Sequence, residues 1–281
     1  MMSTSFKRGM LGLLLVIPSF LILLVVVIIP ILYAIRESLI DENGTGFGLA
    51  NYIRLFTDAA MRKNVLYTLN LTIVSTILTL VISYAMAVYL RFGSGFVVTW
   101  IRRLYFVPMF IPGVIATYAL ITTYSNHGWA PRFLLTLGID SFPKIIYDYK
   151  GLLLANLWFN IPFATMLLSS ALAGIPNSVI ESARDAGART LQLFVRFILP
   201  LSYKTMWVAA TFIFMGVIGS FTAPFLIGAN SPQVLGVAMQ QVFSSYQETH
   251  MASAMAVFMF ILCSFMGYFY IRTMVQDADA N

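Results

Sequence analysis

Long runs without a single charged side chain are the feature that most constrains the fold of this chain. No residue between Gly9 and Ile35 is charged, and the centre of this run reads LILLVVVIIPILY. A helix that crosses the hydrocarbon core of a membrane needs about 20 consecutive apolar residues. A water-soluble domain usually contains about 25% charged residues, whereas this 281-residue chain contains 10% and is 59% hydrophobic. The sequence therefore predicts an integral membrane protein.

Six runs are long and apolar enough to cross a membrane. They are predicted at 9–35, 64–90, 104–124, 151–173, 205–227 and 251–271. The first run is much longer than the core of a secretory signal, about 7–15 residues, so it is interpreted as an uncleaved span. The fifth is predicted to end near Ile227, because turn-forming residues follow at Gly228–Gln233. The expected fold is an all-α, polytopic membrane helix bundle that forms one transmembrane domain over residues 1–281.

Basic residues are distributed unequally between the two sides that these spans define. The side with both termini carries ten basic and four acidic residues, whereas the other side carries seven of each. Because an excess of Lys and Arg marks the cytoplasmic side of a membrane, both termini are predicted to be cytoplasmic. The net charge of +6 is therefore attributed to membrane topology rather than to nucleic-acid binding.

Groups that could carry enzyme or cofactor chemistry are scarce. Cys263 lies within an apolar run, and His127 and His250 lie far apart without a metal-binding spacing. No nucleophile–base pair is visible, and no GxxxxGK[ST] phosphate-binding loop occurs. We therefore expect no enzyme activity, no metal site and no cofactor on this chain.

The segment between the fourth and fifth spans combines charge with small side chains. Its sequence, from Glu181 to Pro200, is ESARDAGARTLQLFVRFILP. Ser178 and Glu181 have the spacing of a capping box, which predicts a helix start, and Gly187 is suited to ending that helix in a left-handed conformation. Only about two turns lie between these ends, too few to cross a membrane. Thr190 is expected to cap a second short helix, which Pro200 would end.

This segment resembles the EAA motif in permease subunits of binding-protein-dependent ABC importers. That motif consists of a Glu-Ala-Ala triplet, a glycine and a later Ile-x-Leu-Pro. The residues that match it in register are Glu181, Ala183, Gly187, Leu199 and Pro200, whereas Ser182 and Phe197 depart from it. The order of the spans, with the motif between the fourth and the fifth, extends the resemblance over nearly the whole chain.

The resemblance implies a particular assembly in a bacterial cytoplasmic (inner) membrane. Residues 176–189 would form a cytoplasmic coupling helix seated in a cleft of a separate ATPase subunit. The residues expected to serve ATPase coupling are Glu181, Ala183, Arg184, Asp185, Gly187, Leu199 and Pro200. The implied partners are a pair of ATP-binding cassette ATPase subunits, an extracytoplasmic solute-binding protein, membrane lipid, and a second permease subunit that is expected to be a different chain. No nucleic acid is expected among them.

A translocation path is expected where polar and helix-bending residues interrupt the third, fourth and fifth spans. Such interruptions are tolerated at membrane depth where the freed backbone is covered or lines a cavity, and in transporters they often mark the binding site. The candidates for the path or gate are Pro112, Gly113, Asn156, Asn160, Pro162, Gly219, Ser220 and Thr222. The alternative interpretation is that these residues serve only packing and hydrogen bonding between helices.

The layout most resembles that of polyamine and phosphonate importer permeases, with sugar importer permeases next. The similarity includes NYIRLF after the first span and GVAMQQVF near the last one. The expected substrate is a small polar solute, a polyamine or an aminophosphonate-like compound, although no span contains an acid or a base. An ion-coupled carrier usually has an ionisable residue within the membrane, so a carrier of that kind is disfavoured. A sugar importer permease and a membrane scaffold without transport are two competing hypotheses.

Overall fold

The computed structural model describes residues 4–41, 46–139, 143–228 and 232–278, and it describes side chains between residues 14 and 272. Helices dominate these residues, and the β-bridge between Ile40 and Phe47 is an isolated one. The α-helices are α1 (Thr4–Leu23), α2 (Ile29–Ser38), α3 (Ala50–Thr57), α4 (Ala59–Phe92), α5 (Phe96–Leu104), α6 (Gly113–Tyr124), α7 (Trp129–Thr136), α8 (Tyr149–Ala173), α9 (Asn177–Asp185), α10 (Thr190–Leu193), α11 (Leu199–Ile218), α12 (Thr222–Ile227), α13 (Leu235–Ser244) and α14 (Thr249–Ala278). The predicted all-α fold is confirmed.

Five helical stretches among the described residues are each long and apolar enough to cross a membrane. They are Leu14–Ser38, Ala59–Phe92, Tyr149–Ala173, Thr190–Ile218 and Thr249–Arg272. A bent pair of helical stretches, Phe96–Phe110 and Gly113–Thr136, supplies a sixth if its two halves count as one span. The prediction of about six transmembrane helices is therefore confirmed, but the shapes of two of them differ from the prediction.

The limits predicted for the third span, 104–124, are wrong because the helix breaks within this range. Helix α5 is followed by a 3₁₀ turn at Val107–Phe110, and α6 begins only at Gly113. The two halves meet at an angle of 108°. Ile111 has an extended backbone, with φ −88° and ψ 121°. The residue before a proline is disfavoured in the helical region, so Pro112 explains the break.

The fifth span, predicted over 205–227, starts earlier and ends earlier. Helix α10 continues through a π-helical turn at Phe194–Ile198 into α11, which ends at Ile218. The expectation that Thr190 caps a separate short helix and that Pro200 ends it is therefore wrong, since the N-cap of α10 is Arg189. Pro200 lies in the first turn of α11, directly after the π-turn, where a missing N–H and the bulk of the ring are accommodated by the wider turn.

The first span has the same construction. A π-helical turn at Leu24–Ile28 separates α1 from α2, and Pro30 lies in the first turn of α2. The helix therefore continues past its proline. From residue 14 to residue 37 none of its side chains is buried within the chain.

The chain divides into two compact units, Met1–Met61 with Met239–Ile261, and Arg62–Ala238 with Leu262–Asn281. The expectation of a single domain stays a prediction. In the first unit, α3 is fixed to the chain that follows α2 by Asn51, whose Nδ2 donates to the carbonyls of Ser38 (3.1 Å) and Ile40 (2.8 Å). Arg54 Nη1 also lies 2.9 Å from Glu248 Oε2. Polar contacts therefore join α3 to the chain after α2 and to the residue before α14.

The second unit contains the buried parts of α4, α8 and α11. One hydrophobic cluster includes Leu168, Leu172 and Ile198, and another includes Leu71, Leu152 and Ile227. Between α4 and α11, the Tyr84 and Ser202 hydroxyls are hydrogen bonded at 2.7 Å. This packed frame positions the two candidate sites described below. The predicted turn at Gly228–Gln233 lies partly outside the described residues.

Candidate functional site

Helix α9 occupies the region predicted as a coupling helix over 176–189, but it starts differently from the prediction. Its N-cap is Pro176, with φ −62° and ψ 140°, and no side chain caps the helix start. Ser178 lies inside the first turn, so the predicted capping box between Ser178 and Glu181 is wrong. The restricted backbone of Pro176 sets the start of the helix, two residues before Ser178, the residue predicted as the cap.

Arg91, near the end of α4, holds the start of α9 in place through hydrogen bonds. Its Nε donates to the Leu172 carbonyl at 3.2 Å. Its Nη2 donates to the Ile175 carbonyl at 3.2 Å and to Asn177 Oδ1 at 2.5 Å. The last carbonyls of a helix have no partner within the helix, and the guanidinium supplies one at the end of α8. In the sequence, Arg91 is only one of the ten basic residues on the side predicted to be cytoplasmic, and no local pattern indicates this role.

The inner face of α9 is apolar and packs onto the helical frame. Ile180 and Ala183 are buried, and they join the cluster that contains Leu172, Leu193 and Ile198. Ala183 of the motif therefore contacts this chain itself rather than a partner, and its small side chain allows α9 to lie close to the frame. Two further motif residues differ in exposure, since Leu199 packs against the same cluster and Pro200 is exposed.

The outer face of α9 is polar and carries charges of both signs. Glu181, Arg184 and Asp185 are all exposed. None of these three side chains forms an ion pair with a described residue. Their hydrogen-bonding groups are therefore available to another molecule. The helix therefore exposes a charged outer face, while its inner face is fixed by packing onto the frame.

The end of α9 is as well defined as its start. Gly187 has φ +81°, its N–H donates to the Arg184 carbonyl at 2.8 Å, and the Ala188 N–H donates to the Ala183 carbonyl at 3.0 Å. This pair of bonds is a Schellman motif, which usually places glycine in the left-handed position. The predicted termination at Gly187 is confirmed. A Cβ added at Gly187 would meet no atom within 4 Å, so the space around it is open.

The second candidate site is a cavity of about 270 Å³ lined by residues of α6, α8, α11 and α12 and of the bend before α12; we call it the polar cavity. Of the residues predicted for the translocation path, those that line it are Gly113, Asn156, Asn160, Ser220 and Thr222. The other three lie outside the lining. Pro112 is the N-cap of α6, Pro162 is buried inside α8, and Gly219 is the C-cap of α11.

Two asparagines of α8 give the polar cavity its fixed polar wall. Asn156 is buried, and its Nδ2 lies 3.2 Å from Ser75 Oγ of α4. Asn160 Nδ2 donates to the Asn156 carbonyl at 2.8 Å. The side-chain oxygen of Asn160 lies near Gly216, where an added Cβ would be 3.7 Å from it.

Another part of the lining comes from the bend between α11 and α12. Ser220 lies in this bend, and its Oγ is buried without a hydrogen-bond partner among the described residues. Phe221 stacks on Phe225, with ring centroids 5.1 Å apart and an interplanar angle of 21°. A buried hydroxyl without a partner is costly, so Ser220 is suited to bonding a polar solute.

The polar cavity therefore combines amides, hydroxyls and aromatic rings. Phe159 and Phe221 line it, and no acidic or basic residue appears among the described residues of its lining. Such a lining can hydrogen bond a neutral polar solute. It can also attract a cation through the aromatic faces, but it offers no carboxylate to pair with one.

Comparison with solved structures places this fold among ABC transporter subunits. One chain of a bacterial alginate ABC transporter, solved in complex with an alginate pentasaccharide-bound periplasmic protein, has a TM-score of 0.81 at 17% identity, over 95% of this chain and 94% of that chain. A chain of the inward-facing MetNI methionine ABC transporter has a TM-score of 0.56 at 20% identity, over 74% of this chain and 92% of that chain. At these identities the likeness concerns the fold.

Sequence relatives are transport permeases. The spermidine/putrescine transport system permease protein PotB of Escherichia coli is 26% identical over 256 residues, 89% of this chain and 93% of that protein. The osmoprotective compounds uptake permease protein GgtC of Synechocystis is 27% identical over 269 residues, 88% of this chain and 92% of that protein.

A sequence profile of one transporter family matches residues 79–278. This range includes α9, the π-turn before α11 and every residue that lines the polar cavity. The chain therefore belongs to the family of binding-protein-dependent transport system inner membrane components, and it is a permease subunit of a type I ABC importer.

Proposed function

We propose that this permease subunit passes a polyamine, or a similar small polar solute, from an extracytoplasmic binding protein into the cytoplasm. Hydrolysis of ATP on separate ATPase subunits drives the transfer, and α9 is the coupling helix that meets them. A second permease chain, different in sequence, completes the membrane domain. Both termini and α9 lie in the cytoplasm in this proposal. The observation that carries it is the charged, exposed face of α9 on a helix secured at both ends.

The construction of α9 suits the transmission of a movement. Arg91 ties its start to α4 and to the end of α8, and Gly187 closes its end. Ile180 and Ala183 anchor its inner face in the cluster below. A short rigid helix with such attachments would pass a rigid-body displacement of a bound ATPase to the spans on either side. The coupling residues proposed are Glu181, Ala183, Arg184, Asp185, Gly187, Leu199 and Pro200.

The substrate part of the proposal rests on the similarity to the spermidine/putrescine permease of Escherichia coli. The polar cavity is proposed as part of the path, with Pro112, Pro162 and Gly219 shaping the helix breaks and bends around it. The composition of its lining favours a second candidate, a neutral sugar-like solute, because no carboxylate is present among the described lining residues. Under the polyamine proposal, the carboxylates that bind the cation belong to the partner chain or the binding protein.

The first experiment tests the coupling role of α9 with a matched pair of glycine variants. A tagged chain is expressed together with its candidate ATPase and second permease, purified in mild detergent, and assayed for co-purifying ATPase activity. The test variant is Gly187→Asp. The control is Gly138→Asp in the loop after α7, since Gly138 has φ +79°, open space around it, and the same pair of backbone bonds at a helix end.

We expect Gly187→Asp to lose the ATPase from the complex and Gly138→Asp to retain it. Both substitutions introduce the same charge and the same backbone strain, so only the position differs. Equal retention of the ATPase by both variants would contradict the proposed docking site. Equal loss would indicate general misfolding, which the elution profile and thermal midpoint of each variant would show directly.

The second experiment separates the two substrate candidates. Cells that lack their own polyamine uptake would express the complete importer, and uptake of radiolabelled spermidine would be compared with that of a neutral disaccharide. The polyamine proposal predicts saturable spermidine uptake that requires the binding protein. Uptake of the disaccharide alone would replace it with the second candidate.

A further inference from the structure

Helix α5 has three different faces. At 3.6 residues per turn, its inward face carries Val98, which is 2% exposed. A second face is apolar and exposed, and it carries Phe96, Val97, Trp100 and Leu104. The third face carries Thr99, Arg102 and Arg103. An amphipathic helix with aromatic residues on one face and basic residues on another is typical of a membrane–water interface.

The bend after α5 fits this location. The stretch that contains α5 and the stretch that contains α6 meet at 108°, so they cannot both run along the membrane normal. If α6 enters the membrane, α5 lies close to its surface. Phe96 and Trp100, whose ring centroids are 5.7 Å apart, then face the lipid.

A second cavity lies beside α5, at the end of the frame that carries α9. It has a volume of about 250 Å³ and is lined by Arg91, Arg102, Tyr105 and Ser169, together with apolar side chains of α4 and α8; we call it the arginine cavity. Arg102 Nη2 donates to the Leu90 carbonyl at 2.7 Å, so the guanidinium is held in place by a neutral partner.

The arginine cavity has an uncompensated positive charge. Neither Arg91 nor Arg102 pairs with an acid among the described residues. All the hydrogen bonds that they donate within the described residues go to neutral oxygens and come from Nε or Nη2. Each guanidinium has five N–H donors, so the Nη1 groups of both remain available. Ser169 Oγ is also buried without a partner among these residues.

We propose that the arginine cavity binds the phosphate group of an anionic membrane lipid. Paired guanidinium groups are well suited to phosphate, which accepts several hydrogen bonds in a fork geometry. The apolar walls and the exposed apolar face of α5 suit the glycerol and acyl portions of a lipid. A free phosphate ion would use only the guanidinium groups. Anionic lipids are also enriched at the cytoplasmic surface, where they attract basic residues.

A lipid bound in the arginine cavity would also affect the attachment of α9. Arg91 lines the cavity and also bonds the start of α9. A phosphate in the cavity would therefore help to fix the guanidinium that holds α9. Because α9 is proposed as the coupling helix, we also expect anionic lipid to increase coupled ATPase activity. That expectation rests on the proposed function, whereas the lipid binding itself does not.

The test compares neighbouring arginines in the assembled importer. The purified complex is delipidated, incubated with phosphatidylglycerol or phosphatidylcholine, and examined by native mass spectrometry for retained lipid. The variants are Arg102→Gln, Arg102→Lys and the matched control Arg103→Gln, since both arginines are exposed but only Arg102 lines the cavity. A parallel sample contains inorganic phosphate as competitor.

We expect the unmodified complex to retain phosphatidylglycerol in preference to phosphatidylcholine. Arg102→Gln should reduce this preference about fivefold, which corresponds to the roughly 1 kcal/mol contributed by one basic residue at an anionic surface. Arg102→Lys should retain most of the preference, and Arg103→Gln should change it little.

Three results would overturn the proposal. The first is an unmodified complex that does not distinguish the two lipids. The second is an equal loss in Arg102→Gln and Arg103→Gln, which would assign binding to diffuse surface charge. The third is full displacement of phosphatidylglycerol by inorganic phosphate, which would assign the cavity to a small anion.

Discussion

Helices α9 and α12 are both short, both follow the break of a long helix, and both bury apolar side chains against the same packed unit. Helix α9 buries Ile180 and Ala183, and α12 buries Ala223 and Ile227. Their outward surfaces differ. Helix α9 exposes charges of both signs, whereas α12 and the bend before it expose Thr222 and aromatic rings.

Both helices bury apolar side chains against the frame in the same way. The side chains on their outer faces differ, and this difference distinguishes their roles. Charges without partners are stable only where water or a polar partner surrounds them. Hydroxyls and aromatic rings around a cavity suit contact with a solute or with apolar surroundings. The proposed assignments, α9 to a protein partner and α12 to the path, follow from this contrast.

The largest effect is expected from reversing one charge on the outer face of α9. Glu181→Lys should reduce coupled transport at least about tenfold, because a like-charge contact in an interface costs several kcal/mol. Glu181 is exposed and has no ion-pair partner among the described residues, so the thermal midpoint should stay unchanged. The measurement is solute uptake per ATP hydrolysed, with Glu181→Gln as the size-matched variant. Normal coupling in Glu181→Lys would contradict the assignment of the charged face of α9 to a protein partner and so remove the functional contrast with α12.

The next effect concerns the attachment of α9. Arg91→Met removes three hydrogen bonds that join α4, the end of α8 and the start of α9. Bonds to charged groups are each worth about 1.5–3 kcal/mol, and partial exposure reduces this, so we expect a loss of about 2–3 kcal/mol. Thermal unfolding in detergent measures it. Arg103→Met is the control, and an equal shift in both variants would show that Arg91 has no special role.

A moderate effect is expected at the bend before α12. A Cβ added at Gly236 would lie 2.9 Å from the Ser220 carbonyl, so Gly236→Ala must displace the backbone beside the polar cavity. Overpacking of this kind costs about 1–3 kcal/mol, and the KM for solute uptake should rise. Gly267→Ala, where an added Cβ meets nothing within 4 Å, should instead be neutral or slightly stabilising. An unchanged KM in Gly236→Ala would count against the cavity as part of the path.

The smallest effect is expected from the loss of one hydrogen bond in the frame beneath α9. Tyr84→Phe removes the 2.7 Å hydrogen bond to Ser202, while Ser202 keeps its bond to the Ile198 carbonyl. The expected loss of stability is about 1 kcal/mol, with little change in coupling. The thermal midpoint measures it against Tyr89→Phe, an exposed tyrosine. A large loss of coupling in Tyr84→Phe would extend the functional surface of α9 into the frame.

Two prolines show why parts of the fold could be predicted and parts could not. Pro112 stands at a break of 108°, whereas Pro200 lies in a helix that continues through a π-turn. Both satisfy the same local rule, which says only that a proline cannot extend an unmodified helix. Whether the chain bends or widens its turn depends on the packing around it. The spans predicted at 64–90 and 151–173, which have no such choice at their limits, lie within the observed helices.

The role of Arg91 was beyond sequence reasoning for a related reason. Its partner Asn177 is 86 residues away in the chain, and no local pattern connects the two. The sequence also did not show that Ala183 faces the packed frame, because the motif identifies a small residue without saying which surface it contacts. Gly187 was predicted correctly since the need for a left-handed residue at a helix end is local.

The sequence by itself determined the membrane class, the approximate spans, the end of α9 and the motif that indicates the family. These properties depend on hydropathy and on backbone preferences over a few neighbouring residues. Only the tertiary structure decided that Asn156, Asn160 and Ser220 share one cavity, and that Arg91 and Arg102 share another. Side chains from distant segments meet only after the helices have packed, because burial and steric fit select the contacts that the backbone alone leaves open.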